Sequence, residues 1–531
     1  MKRFILILLA AMLIFSGCKK TEEDIVVSET AVVYGGVLNI SMGLTDTLNP
    51  LLARDETVRD ALFAVYEPLI AITAEQELKP VLADSWSFND GCTSLTVKLK
   101  SGVLWHDGSS LTARDVVYSV NIIKGNASSP YHQLLRYVSA AAEIDEYTVN
   151  FILTRSYSQL PYSLYFPIVS MSAGDLTSTA IGTGPFMLES YSQGRELGLT
   201  RFDGYRDGAA GFDKVNISIV RENITAATAF STGVTNAIQG SILDRDEFTV
   251  HDRFDVRRAC GLEYEYVGLN HRRPIFSSAT VRSALSSAIN REQLVNDGYG
   301  EMSTATNLPF HPLSLSFSPS KSLTDFNIAS ARESLFYDGW TDSSGDGVLS
   351  KDFVDYSSID EEGEESEGRA GNVRLEFTLL VNKENPRRVL AANLIASQLK
   401  EAGFLVNVRE EDFETYLERI KSGDFDAYVG GTDMGNLYDA EFLLSSRGEQ
   451  NYFGYSKEYM DEALEALSAS YGEGFDSACA DLQEVFVRDQ PIVGLVFLDE
   501  SLIMARNIAG GTSAQFHSPF GNIGKWFYVK E

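Results

Sequence analysis

Cysteine, histidine and positive charge are all scarce in this chain. Only four cysteines (Cys18, Cys92, Cys260 and Cys479) and six histidines occur in 531 residues, and 44 lysines and arginines stand against 74 aspartates and glutamates. With Cys18 set aside, three cysteines leave room for one bridge, and spacing alone does not choose the pair. No pair has metal-site spacing, so neither a metal nor a cofactor is expected. A formal charge of −30 offers no basic footprint for phosphate, which excludes a nucleic-acid partner. It also opposes electrostatic binding to anionic lipid, and its role is read as colloidal solubility. HExxH, GxSxG and GxxxxGK[ST] are all missing. His106 and Asp107 are sequence neighbours whose side chains point apart, and Asp107-Gly108 reads as a turn. The chain is therefore read as a non-enzyme.

Long apolar runs are absent too, except for one. Residues 4–15 follow Lys2 and Arg3 and end at Phe15-Ser16-Gly17-Cys18. Twelve apolar residues are too few to span a bilayer, which takes roughly 20, but they fit the middle of a secretory signal. The exit resembles a bacterial lipobox, with Phe15 where Leu is usual, so residues 1–17 are expected to be a signal peptide and Cys18 the lipidated N-terminus. Losing the two cations Lys2 and Arg3 takes the formal charge from −30 to −32. Two or more acyl chains hold a protein stably at a membrane where one does not. Residues 18–33 then read as the anchor and a polar tether.

What remains has ordinary globular composition and a length that implies two or three domains. Val37, Leu38 and Ile40 point to a strand, followed by a loop over 43–50. SLTVKLKSG (94–102) alternates apolar and polar residues, and EYTVNFIL (146–153) is its expected antiparallel partner. Between 372 and 431 the order is strand, helix, strand, helix, strand. Leu375, Phe377 and Leu379 share a face of the first strand, and Leu390, Leu394, Ile395 and Leu399 are the aliphatic positions of the first helix, which Gly403 ends. Asp412 caps a helix carrying Phe413, Tyr416, Leu417 and Ile420. Short links of this kind mean parallel pairing in an α/β unit. Two more amphipathic helices carry Val281, Ala284, Leu285 and Ala288, and Met460, Ala463, Leu464 and Leu467. The stretch 350–371, with six acidic residues from Asp360 to Glu367, reads as a solvated mobile loop. Asp342, Ser344 and Asp346 mimic the start of a calcium loop, but Phe353 stands where a bidentate Glu belongs, so a turn is expected.

Several stretches resemble one family, the extracellular solute-binding proteins of peptide, nickel and oligopeptide ABC transporters (family 5). YEPLIAITAEQELKPVLADSWSFNDGCTSLTVKLKSGVLWHDGSSLTARDVVYSV (66–120) follows the family's pattern, with Trp105 in place of a Phe. GTGPFML (182–188), FDGYRDG (202–208) and VRSALSSAINREQLV (281–295) follow it in order. The resemblance implies a bilobed, periplasmic-binding-protein-like α/β fold (type II, cluster C) with an extra small α+β domain. On this basis 34–60, 167–265 and 495–531 form lobe I, 61–166 the small domain packed on it, and 266–494 lobe II, including the acidic loop 350–371. It also implies ligand capture by hinge closure and delivery to an ABC permease and ATPase, by a monomer moored outside the cytosol. A signalling-peptide receptor of the same fold and an extracellular peptide hydrolase are the rival readings. In the family's peptide binders an Asp after a Gly-Trp pairs with the peptide's α-ammonium. Here Thr432 holds the Trp position and Gly435 the Asp position, while Asp433, two residues earlier, faces the same side of a regular strand. Asp433 thus reads either as the ammonium's partner or as a turn residue. Tyr438, and Ser41, Met42 and Asn49 in the first lobe's loops, are candidates by position. Nickel is disfavoured for want of a histidine pair.

Overall fold

A computed structural model of the chain describes residues 32–45, 47–73, 76–239, 254–300, 303–314, 326–355, 369–436, 438–511 and 519–530. The signal, the lipobox and Cys18 lie outside the described residues, as do 356–368 of the acidic stretch.

The small domain forms as the alternation implies. Strands Ser94–Leu99 and Thr148–Leu153 pair antiparallel, with Leu95 opposite Phe151 and Val97 opposite Val149. Those four side chains are fully buried beneath helix Ala113–Gly125, and strands Ala83–Phe88 and Val138–Asp145 complete the sheet. In the first lobe, strand Val37–Met42 runs parallel to Lys214–Ile219 and joins a four-stranded sheet. One core runs through both, from Leu38 to Ile219 and again from Leu502 to Trp526.

The second lobe carries the strand-helix alternation. Strand Glu376–Asn382 lies between Leu405–Glu411 and Ala427–Asp433 and is parallel to both. Phe377, Leu379, Leu380 and Val381 are all buried, because helices cover both faces. Pro386–Glu401 and Ala279–Ser287 lie on one side, and Glu458–Ala469 and Glu473–Asp489 on the other. Burial on both faces is what a parallel sheet requires.

Three expectations are corrected here. Leu390 is 46% exposed, since helix Pro386–Glu401 turns Ala391 and Ala392 inward and packs closely, with Ala391 under 4 Å from the position a Cβ on Gly298 would take. Phe413, at the first position of its helix, is also exposed, and Tyr416 and Ile420 carry that helix's buried face. The ends of the acidic stretch are not loop: Ser350–Asp355 pairs with Arg369–Arg374 as a hairpin. The sequence-read turn at Asp342 forms. Its carboxylate accepts the Gly345 and Gly347 N–H groups at 2.7 and 3.0 Å, while Asp346 pairs with Arg374 at 2.7 Å. Cys92 and Cys479 are both buried thiols, so no bridge joins those two.

Two long strands connect the lobes. Phe254–Leu269 and Ile492–Ala505 pair antiparallel from Phe254 opposite Ala505 to Gly268 opposite Ile492. At one end they meet the short strand Ala237–Gln239, at the other Ala427–Asp433. The register slips between Ala259 and Glu263, a bulge that bends the ribbon. Gly261 sits in that bulge because a Cβ there would lie 1.8 Å from the Leu498 carbonyl oxygen. Two strands with a bulge are a narrow support that can bend, whereas the packed lobes cannot.

The small domain touches more than the first lobe. Arg136 pairs with Asp439 of the second lobe, the Tyr157 hydroxyl donates to the same carboxylate at 2.8 Å, and Asn436 Nδ2 donates to Ser163 Oγ at 2.9 Å.

Candidate functional site

A cleft of about 420 Å³ opens where the crossing strands leave the first lobe. Its first-lobe wall begins with helix Glu56–Leu62, whose cap residue Asp55 accepts the Thr57 N–H at 2.9 Å. Val58, Ala61 and Leu62 enter the core, which leaves Glu56, Arg59 and Asp60, at i, i+3 and i+4, along the cleft. Gln239, Glu500 and Ser501 continue that wall, and Glu263, Arg387, Thr432 and Asp433 form the wall opposite.

Six carboxylates (Glu56, Asp60, Glu263, Asp433, Asp499 and Glu500) and two guanidiniums (Arg59 and Arg387) line the cleft. Among the described residues no three such groups converge as a metal site. Glu263 and Asp433 are directly opposite each other in the antiparallel pair, an arrangement that repels. Lost hydration in the crowded cleft and then the nearby charges of Glu265 and Asp433 raise the carboxyl of Glu263, and lost hydration and then Asp433 raise that of Glu56. Burial, followed by Glu56 and Glu500, pushes Asp60 well above its ordinary value. The coupling between Glu56 and Asp433 acts across the gap between lobes. The next layer is already satisfied: Arg388 forms a two-pronged pair with buried Glu265, which also accepts from the Tyr299 hydroxyl at 3.1 Å. The cleft therefore carries an excess of negative charge that closure concentrates and a cation relieves.

This has a consequence for stability. A carboxyl raised in the folded state binds a proton that the unfolded chain has already lost. Its contribution is present below the ordinary carboxyl range and lost as pH rises through the raised value. The ligand-free protein should therefore gain melting temperature between pH 7 and pH 5, and an E56Q/E263Q variant should gain less. Equal gains in a calorimetric comparison would contradict the coupling.

Of the residues singled out in the sequence, Asp433 and Thr432 line the cleft. Asp433 is exposed, and one of its oxygens accepts the Gly435 N–H at 2.8 Å, so it is both a turn residue and a cleft carboxylate. Gly435, with φ of +61°, lines an adjoining hollow of about 120 Å³ together with Asp433 and Asp439. Tyr438 is buried, its ring edge-on to Tyr162 at 4.9 Å and to Phe475 at 5.1 Å, in the core rather than the cleft. Ser41 and Met42 are buried at the end of their strand. Asn49 Oδ1 accepts the Leu51 N–H at 3.0 Å and shapes the loop. None of these last three lines the cleft. Glu56, Asp60, Gln239 and Glu263 were not found in the sequence. The only trace was the polar i, i+3, i+4 stripe of a seven-residue helix.

Three of the four stretches that resemble a family meet elsewhere, at one buried carboxylate. Glu67, in YEPL, accepts from Thr183 Oγ1 at 2.8 Å, from the Tyr205 hydroxyl at 3.0 Å, and from both terminal nitrogens of Arg206 at 2.5 and 2.8 Å. His106, in WHDG, accepts the Gly182 N–H through Nδ1 at 3.1 Å and faces the Gly184 carbonyl through Nε2 at 3.0 Å. Burial lowers its pKa to about 4, so the neutral ring is a bracket and not an acid-base group. Gly182 has to be glycine, for a Cβ would lie 1.8 Å from the Val65 carbonyl oxygen. A larger cavity of about 550 Å³ lies beside this knot, lined by Lys79, Lys100, Lys525 and Arg206. It lies wholly within the first lobe and small domain, so hinge motion neither opens nor closes it, and the interlobe cleft is the site the fold builds.

Two lobes on a bending ribbon, with a charged gap between them, define a hinged binding protein. The chain matches the model for bacterial extracellular solute-binding proteins, family 5 Middle, over residues 77–454, and it belongs to that family. It is 26% identical over 548 positions to the oligopeptide-binding protein AppA of Bacillus subtilis, covering 97% of this chain and 96% of that protein. The solved structure of Bacillus subtilis AppA with a nonapeptide superposes with a TM-score of 0.61 at 24% identity, covering 94% of this chain and all of that one. HbpA2 from Haemophilus parasuis superposes with a TM-score of 0.75 at 19% identity, covering 93% and 100%. Among the described residues no helix is long and apolar enough to cross a membrane.

Proposed function

We propose that the protein is the peptide-capturing receptor of an ABC importer and not an enzyme. The cleft carries this reading. Its carboxylates face each other from two lobes and repel, so closure is favoured when a cation such as a peptide's α-ammonium lies between them. Asp433 and Glu263 are the ammonium's partners, and the closed form is what a permease and its ATPase receive. The similarity to an oligopeptide-binding protein over nearly the whole chain supports a peptide as the ligand. Free-amine peptides should raise the melting temperature in proportion to the logarithm of their concentration, and N-acetylated versions should do so far less. If neither class shifts it, the peptide reading fails.

On this reading the mature protein is a monomer tethered outside the cytosol through acylated Cys18. A C18A variant should leave the membrane fraction for the soluble one. Retention in the membrane would refute acylation at that residue.

A further inference from the structure

We infer that the first-lobe wall of the cleft holds a second cation subsite, made by Asp60, Gln239 and Glu56, which selects peptides bearing a basic side chain. The inference rests on the peptide reading of the cleft and names the ligand class within it.

The two deeper groups are almost wholly enclosed, Asp60 at 5% exposure and Gln239 at 4%. Gln239 turns its amide nitrogen to the Asp60 carboxylate. The other end of the amide, Oε1, has no hydrogen-bond partner. Buried acceptors without donors are uncommon in folded proteins and call for an occupant. Gln239 stands opposite Leu502 and shares its face of the sheet, the face on which the helix of Asp60 packs, while Ser501 points to the other face. The cation on the same helix as Asp60 does not fill the gap. Arg59 turns its guanidinium to the carbonyls of Arg54 and Ala53, at 2.6 and 3.4 Å.

A carboxylate and an amide oxygen ask for a partner rich in donors and free of acceptors. An arginine guanidinium, with five N–H groups in a plane, fits best, and a lysine ammonium is the simpler alternative within the same class. Glu56, exposed at the first turn of its helix, adds charge at the mouth. The second-lobe pair Glu263 and Asp433 belongs to other strands and remains for the α-ammonium, so one ligand carries two cations to two walls.

The test is calorimetric titration with alanine-based peptides of three to six residues whose first residue is arginine, citrulline or alanine. Citrulline keeps arginine's shape without its charge. The arginine peptides should bind the wild type about 10- to 100-fold more tightly than the other two, as a charge-assisted contact does. D60N should bring that ratio to within about threefold, and E56Q, at an exposed position that leaves the core intact, should narrow it in part. Equal binding of arginine and citrulline peptides by the wild type would overturn the subsite while leaving the peptide reading standing. A ratio unchanged in E56Q and D60N alike would also overturn it. Failure of every peptide to bind would instead strike the reading on which it rests.

Discussion

Replacing Glu67 with alanine is expected to cost about 3–5 kcal/mol of stability, the range for removing one member of a buried ion pair. The residue is 6% exposed and holds Arg206, Tyr205 and Thr183 together. Burial opposes the charge of Arg206, and the hydrogen bonds and charge of Glu67 more than offset it, so the guanidinium stays ionised. Without Glu67 that cation is enclosed with Asp207, 3.7 Å away and half exposed, as its remaining counter-charge. Three segments far apart in sequence would lose their common tie, so the transition of the first lobe and small domain should fall by many degrees. A double variant, E67Q/R206M, should recover much of the loss, because it removes the stranded charge along with its partner. A loss under about 1 kcal/mol would show that this pair behaves like an exposed one, and the account of the motif knot would fail.

Asp433 to asparagine should weaken a free-amine peptide by roughly 10- to 100-fold, the equivalent of about 1.5–3 kcal/mol for a hydrogen bond to a charged group. The same change should scarcely alter binding of the N-acetylated peptide, which brings no cation. Stability should hold, since the residue is exposed and an asparagine oxygen can still accept the Gly435 N–H. Affinity for the free-amine peptide should also fall on acidification, because Glu56 and Glu263, with carboxyls raised chiefly by lost hydration in the crowded cleft, take up protons that the cation must displace. Unchanged affinity in D433N would remove this carboxylate from the site. In that case Glu263, its partner across the strands, becomes the ammonium's anchor to test.

The two predictions address different parts of the molecule. Glu67 fixes the frame of the first lobe and Asp433 faces the gap, and the crossing strands keep the two regions apart. The small domain's contacts with the second lobe, Arg136 with Asp439 and Asn436 with Ser163, add a tie that hinge motion has to strain or release. Ligand and latch thus act on one equilibrium, and a ligand shifts it by the difference in its affinity for the two states.

Local rules in the sequence determined a large share of this protein. Period-two alternation placed Leu95 and Val97 opposite Phe151 and Val149. The strand-helix order from 372 to 431 became a parallel sheet, Asp412 capped its helix by accepting the Thr415 N–H, and Asp342 closed its turn. Each depends on residues a few positions apart, and backbone geometry repeats at that range. Where the sequence misled, at Leu390 and Phe413, a neighbouring element had decided which face was inward. Beyond Asp433 and Thr432, the cleft belonged to tertiary structure. Glu56 and Asp60 share one helix, Gln239, Glu263 and Asp433 come from three strands, and the register of two crossing strands brings them together. Charge on a side chain carries no periodic signal, so its convergence with others becomes visible when the chain has folded back on itself.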